Sequence, residues 1–190
     1  MTKKILILLF ILIPIKANAL IEVDITRGNL NPLPLAVSPL SIDEESRKGF
    51  EKILKKENIG SEISNIVENN LRTSGLFNPL DKKAFLQAPD IANLKPRFED
   101  WNLIKAQALI TGKVNYINDK LRVEFRLWDV LAAKEMMALA FTTVPTNWRR
   151  VGHIISDKVY ERLTGEKGYF DTRIIYVAEE GPKTQRIKKL

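Results

Sequence analysis

The apolar positions of this chain change period several times, and each change marks an element. Leu121, Val123, Phe125 and Leu127 alternate with Arg122, Glu124, Arg126 and Trp128. That period of two predicts a strand with one buried and one wet face. Leu109–Ile117 reads as the strand before it, with Asn118-Asp119 as the turn. Asp129–Lys134 reads as the next turn, and Glu135–Val144 as a third strand. Together they predict an antiparallel meander. Two other stretches repeat at three and four. Ile59, Ile63, Ile66, Val67 and Leu71 share one face of a helix over Asn58–Thr73, with Gly75 placed to end it. Trp148, Val151, Ile155, Val159 and Leu163 do the same over Thr146–Leu163. Thr146 or Asn147 can cap that helix, and Gly165 can stop it.

The weaker patterns fill the gaps. Leu35–Leu40 is a short apolar run that suits a buried strand. Asp43–Glu57 is charged and predicts a solvated helix around Phe50, Ile53 and Leu54. Leu76–Asp81 leads into a loop punctuated by Pro79, Pro89 and Pro96. Phe98–Lys105 predicts a short helix anchored by Phe98, Trp101 and Leu103. The coarse order is strand, helix, strand, three-strand meander, helix. The expected class is α+β, a mixed β-sheet with two main helices packed on one face.

Both ends depart from that plan. Met1–Lys4 is a short positive head, Ile5–Ile15 an apolar run of 11 residues, and Ala17-Asn18-Ala19 a small-residue cleavage pattern. This is the form of a secretory signal peptide cut after Ala19, leaving Leu20 first. A membrane span needs ~20 apolar residues, about twice what is there. Next, Ile21, Val23 and Ile25 alternate with Glu22, Asp24 and Thr26. Arg27 follows, and Gly28, Asn29, Asn31, Pro32 and Pro34 then loosen the segment. Leu20–Pro34 is a strand-capable arm on a leash. It reads either as an ordinary edge strand, which the pattern alone favours, or as a detachable strand that pairs with a partner's sheet edge. At the far end, Arg173–Ala178 reads as a strand, Glu179–Thr184 as a turn and Gln185–Leu190 as the start of another strand. An isolated two-stranded hairpin is marginal in water. The tail is therefore either a decoration or the edge of a further domain, and weak order is expected from Gly168 to Leu190.

Composition narrows the function. Removing the signal leaves 171 residues, enough for one domain. Cysteine is absent, so no disulfide or thiol chemistry is available. The formal charge of +7 falls to +4 without Lys3, Lys4 and Lys16. Setting aside Lys183, Arg186, Lys188 and Lys189 leaves 23 basic and 23 acidic residues, so nucleic-acid binding has no electrostatic basis. His153 is the single histidine, and Asp157 lies four residues on, one helical turn away. No nucleophile is nominated to complete such a pair. Glu44-Glu45 and Glu179-Glu180 read as solvated surface. Gly165 and Gly168 form a loose GxxG that a helix stop and a turn explain. No catalytic, cofactor or metal site is expected.

Three stretches resemble the TolB family. "WRRVGHIISDKVYERLTGEKGYFDTRIIYV", Trp148–Val177, resembles the junction where that family's N-terminal domain enters a β-propeller. "ALITGKVNYINDKLRVEFRLWDV", Ala108–Val130, is similar to its central hairpin. "IGSEISNIVENNLRTSGLF", Ile59–Phe77, is similar to its first helix and exit. Ser41–Lys56 departs, being longer and more charged than the family's usual link. The resemblance implies a signal peptide over 1–19, an arm over 20–34, an N-terminal α+β domain over 35–167 and the truncated start of a propeller over 168–190. It implies a non-enzymatic periplasmic component of the Tol–Pal system, serving outer-membrane integrity and cell division. The arm, Leu20–Leu33 and chiefly Leu20–Gly28, would be offered to TolA. Pal would bind only if a propeller were supplied elsewhere, and the chain would be peripheral to membranes after cleavage. The alternative is a stand-alone periplasmic α+β binding module of an envelope complex.

Overall fold

The computed structural model describes residues 31–173, 178–182 and 187–189. Fifteen-residue and seventeen-residue helices, Ile59–Thr73 (α2) and Trp148–Thr164 (α5), lie together on one face of a six-stranded sheet. The sheet order is β3 (Phe77–Pro79), β1 (Leu33–Val37), β4 (Ala108–Ile117), β5 (Lys120–Asp129) and β6 (Lys134–Thr143). A two-residue strand, β2 (Ser41–Ile42), also pairs with β4. β1 runs parallel to both β3 and β4, and the β4–β5–β6 meander is antiparallel. Asn118 and Asp119 both take positive φ, 50° and 57°, as a two-residue hairpin turn requires.

Alternation along the strands sorts the core into two layers. Leu35 and Val37 of β1, and Ala108 and Ile110 of β4, face α2 and α5. The residues between them, Ala36 and Leu109, face the other way. Val123, Phe125 and Leu127 of β5 join Ile63, Leu71, Ile155 and Leu163 in the main core. The smaller layer is built by α3 (Pro89–Leu94) and α4 (Phe98–Leu103), which bury Ala92 and Trp101 against Ala36, Leu109 and Val130. The Trp101 indole donates to Gln87 Oε1 at 2.7 Å, so its one polar atom is satisfied inside. The segment linking β1 to β3 thus covers one face, and the segment linking β3 to β4 covers the other.

Close backbone contacts hold the layers. A Cβ on Gly60 of α2 would sit 2.2 Å from the Leu40 carbonyl oxygen, so only glycine fits there. The charged stretch forms α1 (Glu44–Leu54), capped by Asp43, whose carboxylate accepts from the Ser46 amide at 2.7 Å. Ser46 Oγ accepts from the Tyr116 amide, and Asp43 Oδ2 accepts from Asn115, so the cap also bolts α1 to β4. Hydrogen bonding by the Ser46 amide is the main cause of a lowered Asp43 pKa, helped by Asn115 and opposed by partial burial.

Several expectations change. Phe50 is fully buried and Leu54 packs partly buried against the core, but Ile53 is 46% exposed, so α1 rests on two of the three expected residues. Leu103 is 75% exposed and anchors nothing, because α4 ends there and turns through Lys105 at φ 62°. Asn147 stands at the start of α5 without capping it by its side chain, which donates to Thr143 Oγ1 instead. Among the described residues of the tail, β7 (Ala178–Glu180) pairs antiparallel with β8 (Ile187–Lys189), while 174–177 and 183–186 lie outside the described residues.

Candidate functional site

The predicted arm and cleavage residues, Ala17, Ala19 and Leu20–Gly28, lie outside the described residues. The described chain begins at Asn31, and Leu33 already belongs to the sheet. Its amide donates to the Leu76 carbonyl at 2.9 Å, and its side chain is 8% exposed. Leu33 and Pro34, the last residues of the Leu20–Pro34 stretch, are thus strand residues of the sheet, which is the alternative the pattern favoured for them. β1 begins at Leu33, because its parallel partner β3 supplies hydrogen bonds that the prolines on either side do not prevent.

The His153–Asp157 spacing does not form a catalytic pair. The His153 Nδ1 faces Asn70 Nδ2 of α2 at 2.9 Å, and Asn70 Nδ2 also donates to buried Ser156 at 3.0 Å. This is a polar tie between α2 and α5, beside Gly152, where a Cβ would press on Ile66 at 2.9 Å. No group of three or more metal-ligating side chains occurs among the described residues.

Asp157 has a different task. Its two oxygens accept from the backbone amides of Phe170 at 2.6 Å and Asp171 at 3.1 Å. Gly165 stops α5 in the left-handed region at φ 76°, and the chain doubles back along the helix. Gly168 makes the return possible, since a Cβ there would meet Asp157 Cα at 2.4 Å. Asp171 then receives a two-pronged contact from the Arg150 guanidinium, with all three distances 3.1 Å. That bond and its charge raise the Arg150 pKa further. Tyr169 and Phe170 pack on Tyr160, with ring centroids 5.5 and 5.8 Å away, and Phe77 lies beyond Tyr160 at 6.1 Å. Burial pushes the Tyr160 phenol up. Residues 168–171 are thus fastened to the domain, and the expected weak order does not hold for them. The spacing from Asp157 to Phe170 carries no local signal; only the aromatic pair after the second glycine hints at a docked return.

Three places on the described surface stand out. One is the sheet-end where the chain enters at Asn31, and another is the fastened exit at Asp171. The third is the outer strand β6.

Comparison with known proteins gives this frame a family. The TolB amino-terminal domain model matches residues 21–136. The Tol-Pal system protein TolB of Pelagibacter ubique is 83% identical over 185 residues, which is 97% of this chain and 42% of that protein. The chain therefore spans less than half the length of that relative. The crystal structure of TolB from Acinetobacter baumannii superposes with a TM-score of 0.62 at 23% identity. The match covers 83% of this chain and 35% of that one, and it supports the fold.

Proposed function

The chain belongs to the TolB family, and from that premise we propose that it is a non-enzymatic, periplasmic component of the Tol–Pal system. It contributes to outer-membrane integrity and cell division by offering Leu20–Gly28 to TolA. The observation that carries this reading is the extent of the family match. It runs from Ile21 to Met136 and so takes in the arm together with the folded domain as far as the start of β6. The arm's chemistry suits the task. Ile21, Val23 and Ile25 alternate with Glu22, Asp24 and Thr26, so one face of an extended strand is apolar and the other polar. Such a strand adds to an exposed sheet edge, with its main-chain groups giving affinity and its alternate side chains giving specificity.

The domain's part is to hold the arm. Asn31 and Pro32 lead directly into β1, whose Leu35, Ala36 and Val37 are among the most buried residues of the fold. A pull on the arm is therefore delivered to a strand flanked on both sides, between β3 and β4. Export by the signal peptide over 1–19 places the chain where TolA is met, and Pal is assigned to no residue of this domain.

Calorimetric titration of TolA tests the reading, using the chain starting at Leu20 and a second chain starting at Asn29. The first is expected to bind and the second to bind at least about a hundredfold more weakly, because main-chain pairing of the strand supplies the affinity. Equal affinity of the two chains would overturn it.

A further inference from the structure

The sheet has two outer strands, and they are guarded differently. β3 is three residues long and ends in Pro79. β6 is ten residues long and, among the described residues, pairs with β5 alone. Outer strands of soluble proteins are normally blunted by lysine, proline, inward charge or a bulge along their length. In β6 such features sit only at the start, where Lys134 and Glu135 are charged and the register shifts opposite Leu127 and Trp128. From Met136 to Thr143 there is neither a charge nor a proline. The Met136 carbonyl accepts from the Arg162 guanidinium at 3.3 Å; past it, among the described residues, the outward main-chain donors and acceptors of β6 pair with no other strand.

A groove accompanies the strand on each face. On the helix side a groove of about 240 Å³ lies between β6 and α5, with Phe141, Val151 and Ile154 as its floor. Leu139, on that same face, is still 38% exposed. On the opposite face a groove of about 200 Å³ runs over Arg122, Glu124 and Arg126, reached across the small side chains of Ala138 and Ala140. Lys113 and Arg122 share Glu124 at 3.5 and 3.0 Å, and Arg126 pairs with Glu135 at 3.2 Å. Three cations are thus served by two carboxylates.

An added strand sends alternate side chains to the two sides. We infer that the β6 edge is a docking site for an extended segment of a partner protein in which apolar and acidic residues alternate. The apolar side chains fill the Phe141 groove, and the acidic ones meet Arg126 across Ala138 and Arg122 across Thr142, on either side of Glu124. Main-chain hydrogen bonds to β6 supply the rest, as in other cases of strand addition. A second copy of this chain fits worse. Two β6 strands side by side would set alanine beside alanine and bring the Arg122 and Arg126 of both copies onto one face, with no carboxylates beyond the Glu124 and Glu135 those cations already share. The site uses none of the residues proposed to meet TolA.

The test is amide chemical-shift mapping on the full chain from Leu20. The probe is an acetylated, amidated eight-residue peptide alternating valine and glutamate, with a valine–lysine peptide as control. Saturable shifts are expected in the amides of residues 137–143, with the lysine peptide about tenfold weaker or more. The double variant Arg122→Glu, Arg126→Glu should reverse that preference. Ala140→Glu, an exposed change that leaves the inner face alone, should weaken the glutamate peptide about fivefold. The proposal is overturned by shifts outside β6, by equal binding of both peptides, by Ala140→Glu without effect, or by these amides shifting with protein concentration alone.

Discussion

Replacing Asp157 by alanine isolates the exit of the domain from its core. The carboxylate accepts two backbone amides, Phe170 at 2.6 Å and Asp171 at 3.1 Å, and makes no contact the core depends on. Hydrogen bonds to a charged acceptor contribute about 1.5–3 kcal/mol each when sheltered. The site is half-buried, so about 2–3 kcal/mol for the pair is the appropriate scale. The ring contacts of Tyr169 and Phe170 with Tyr160 remain in the variant, and they are worth roughly 1 kcal/mol each. Residues 168–171 should therefore open more often without leaving the surface altogether. Native-state hydrogen exchange reads this directly, because each 1.4 kcal/mol is a factor of ten in the opening equilibrium. The Phe170 and Asp171 amides are expected to exchange about 30–100-fold faster in Asp157→Ala, while Ile155 and Val159 in α5 keep their protection. Asp157→Asn, which keeps one acceptor oxygen, should fall between. Unchanged exchange at Phe170 and Asp171 would refute the reasoning, as would an equal rise across α5.

Further outcomes follow from the same structure. Gly60→Ala should destabilise by about 2 kcal/mol or more in urea unfolding. Alanine's helix preference offers ~1 kcal/mol, but a methyl 2.2 Å from the Leu40 carbonyl must displace backbone. Phe125→Ala, at a site 1% exposed and stacked on Phe141, should cost about 3–5 kcal/mol by the same assay. The Asp43 cap sets an acid limit on α1. Its folded pKa lies below the ordinary carboxylate value, so its stabilisation is complete above the unfolded pKa of about 4 and is lost as pH falls through the lower folded value. Asp43→Asn should accordingly flatten the dependence of the melting temperature on pH below about 4, and an unchanged slope would contradict the cap's role.

Much of this fold was legible because its signals are local. The meander declared itself through Leu121–Leu127, and the two long helices through single apolar stripes ending at Gly75 and Gly165. What was not legible is pairing at a distance. Nothing near Leu33 announces that its amide meets the carbonyl of Leu76, so prolines 32 and 34 read as leash rather than as the rim of a parallel strand. The second layer was hidden for a related reason. Ala36, Ala92 and Ala106 are too small to make a stripe, and they become core only when Trp101 is folded over them. Leu103 shows the converse, an apolar residue beside a real anchor that remains in water. At the site, the His153–Asp157 spacing was visible but its partners were not. Asn70 lies 83 positions from His153, and the Phe170 amide lies on a return that only Gly168 permits.

The central claim is that recognition belongs to the leading segment and support to the sheet behind it. Amide hydrogen exchange of the chain from Leu20, measured with and without TolA, addresses it most directly. The account predicts that residues 20–28 gain protection when TolA is added, with β4 and β5 unchanged. Protection gained on the folded domain while residues 20–28 exchange as before would contradict it.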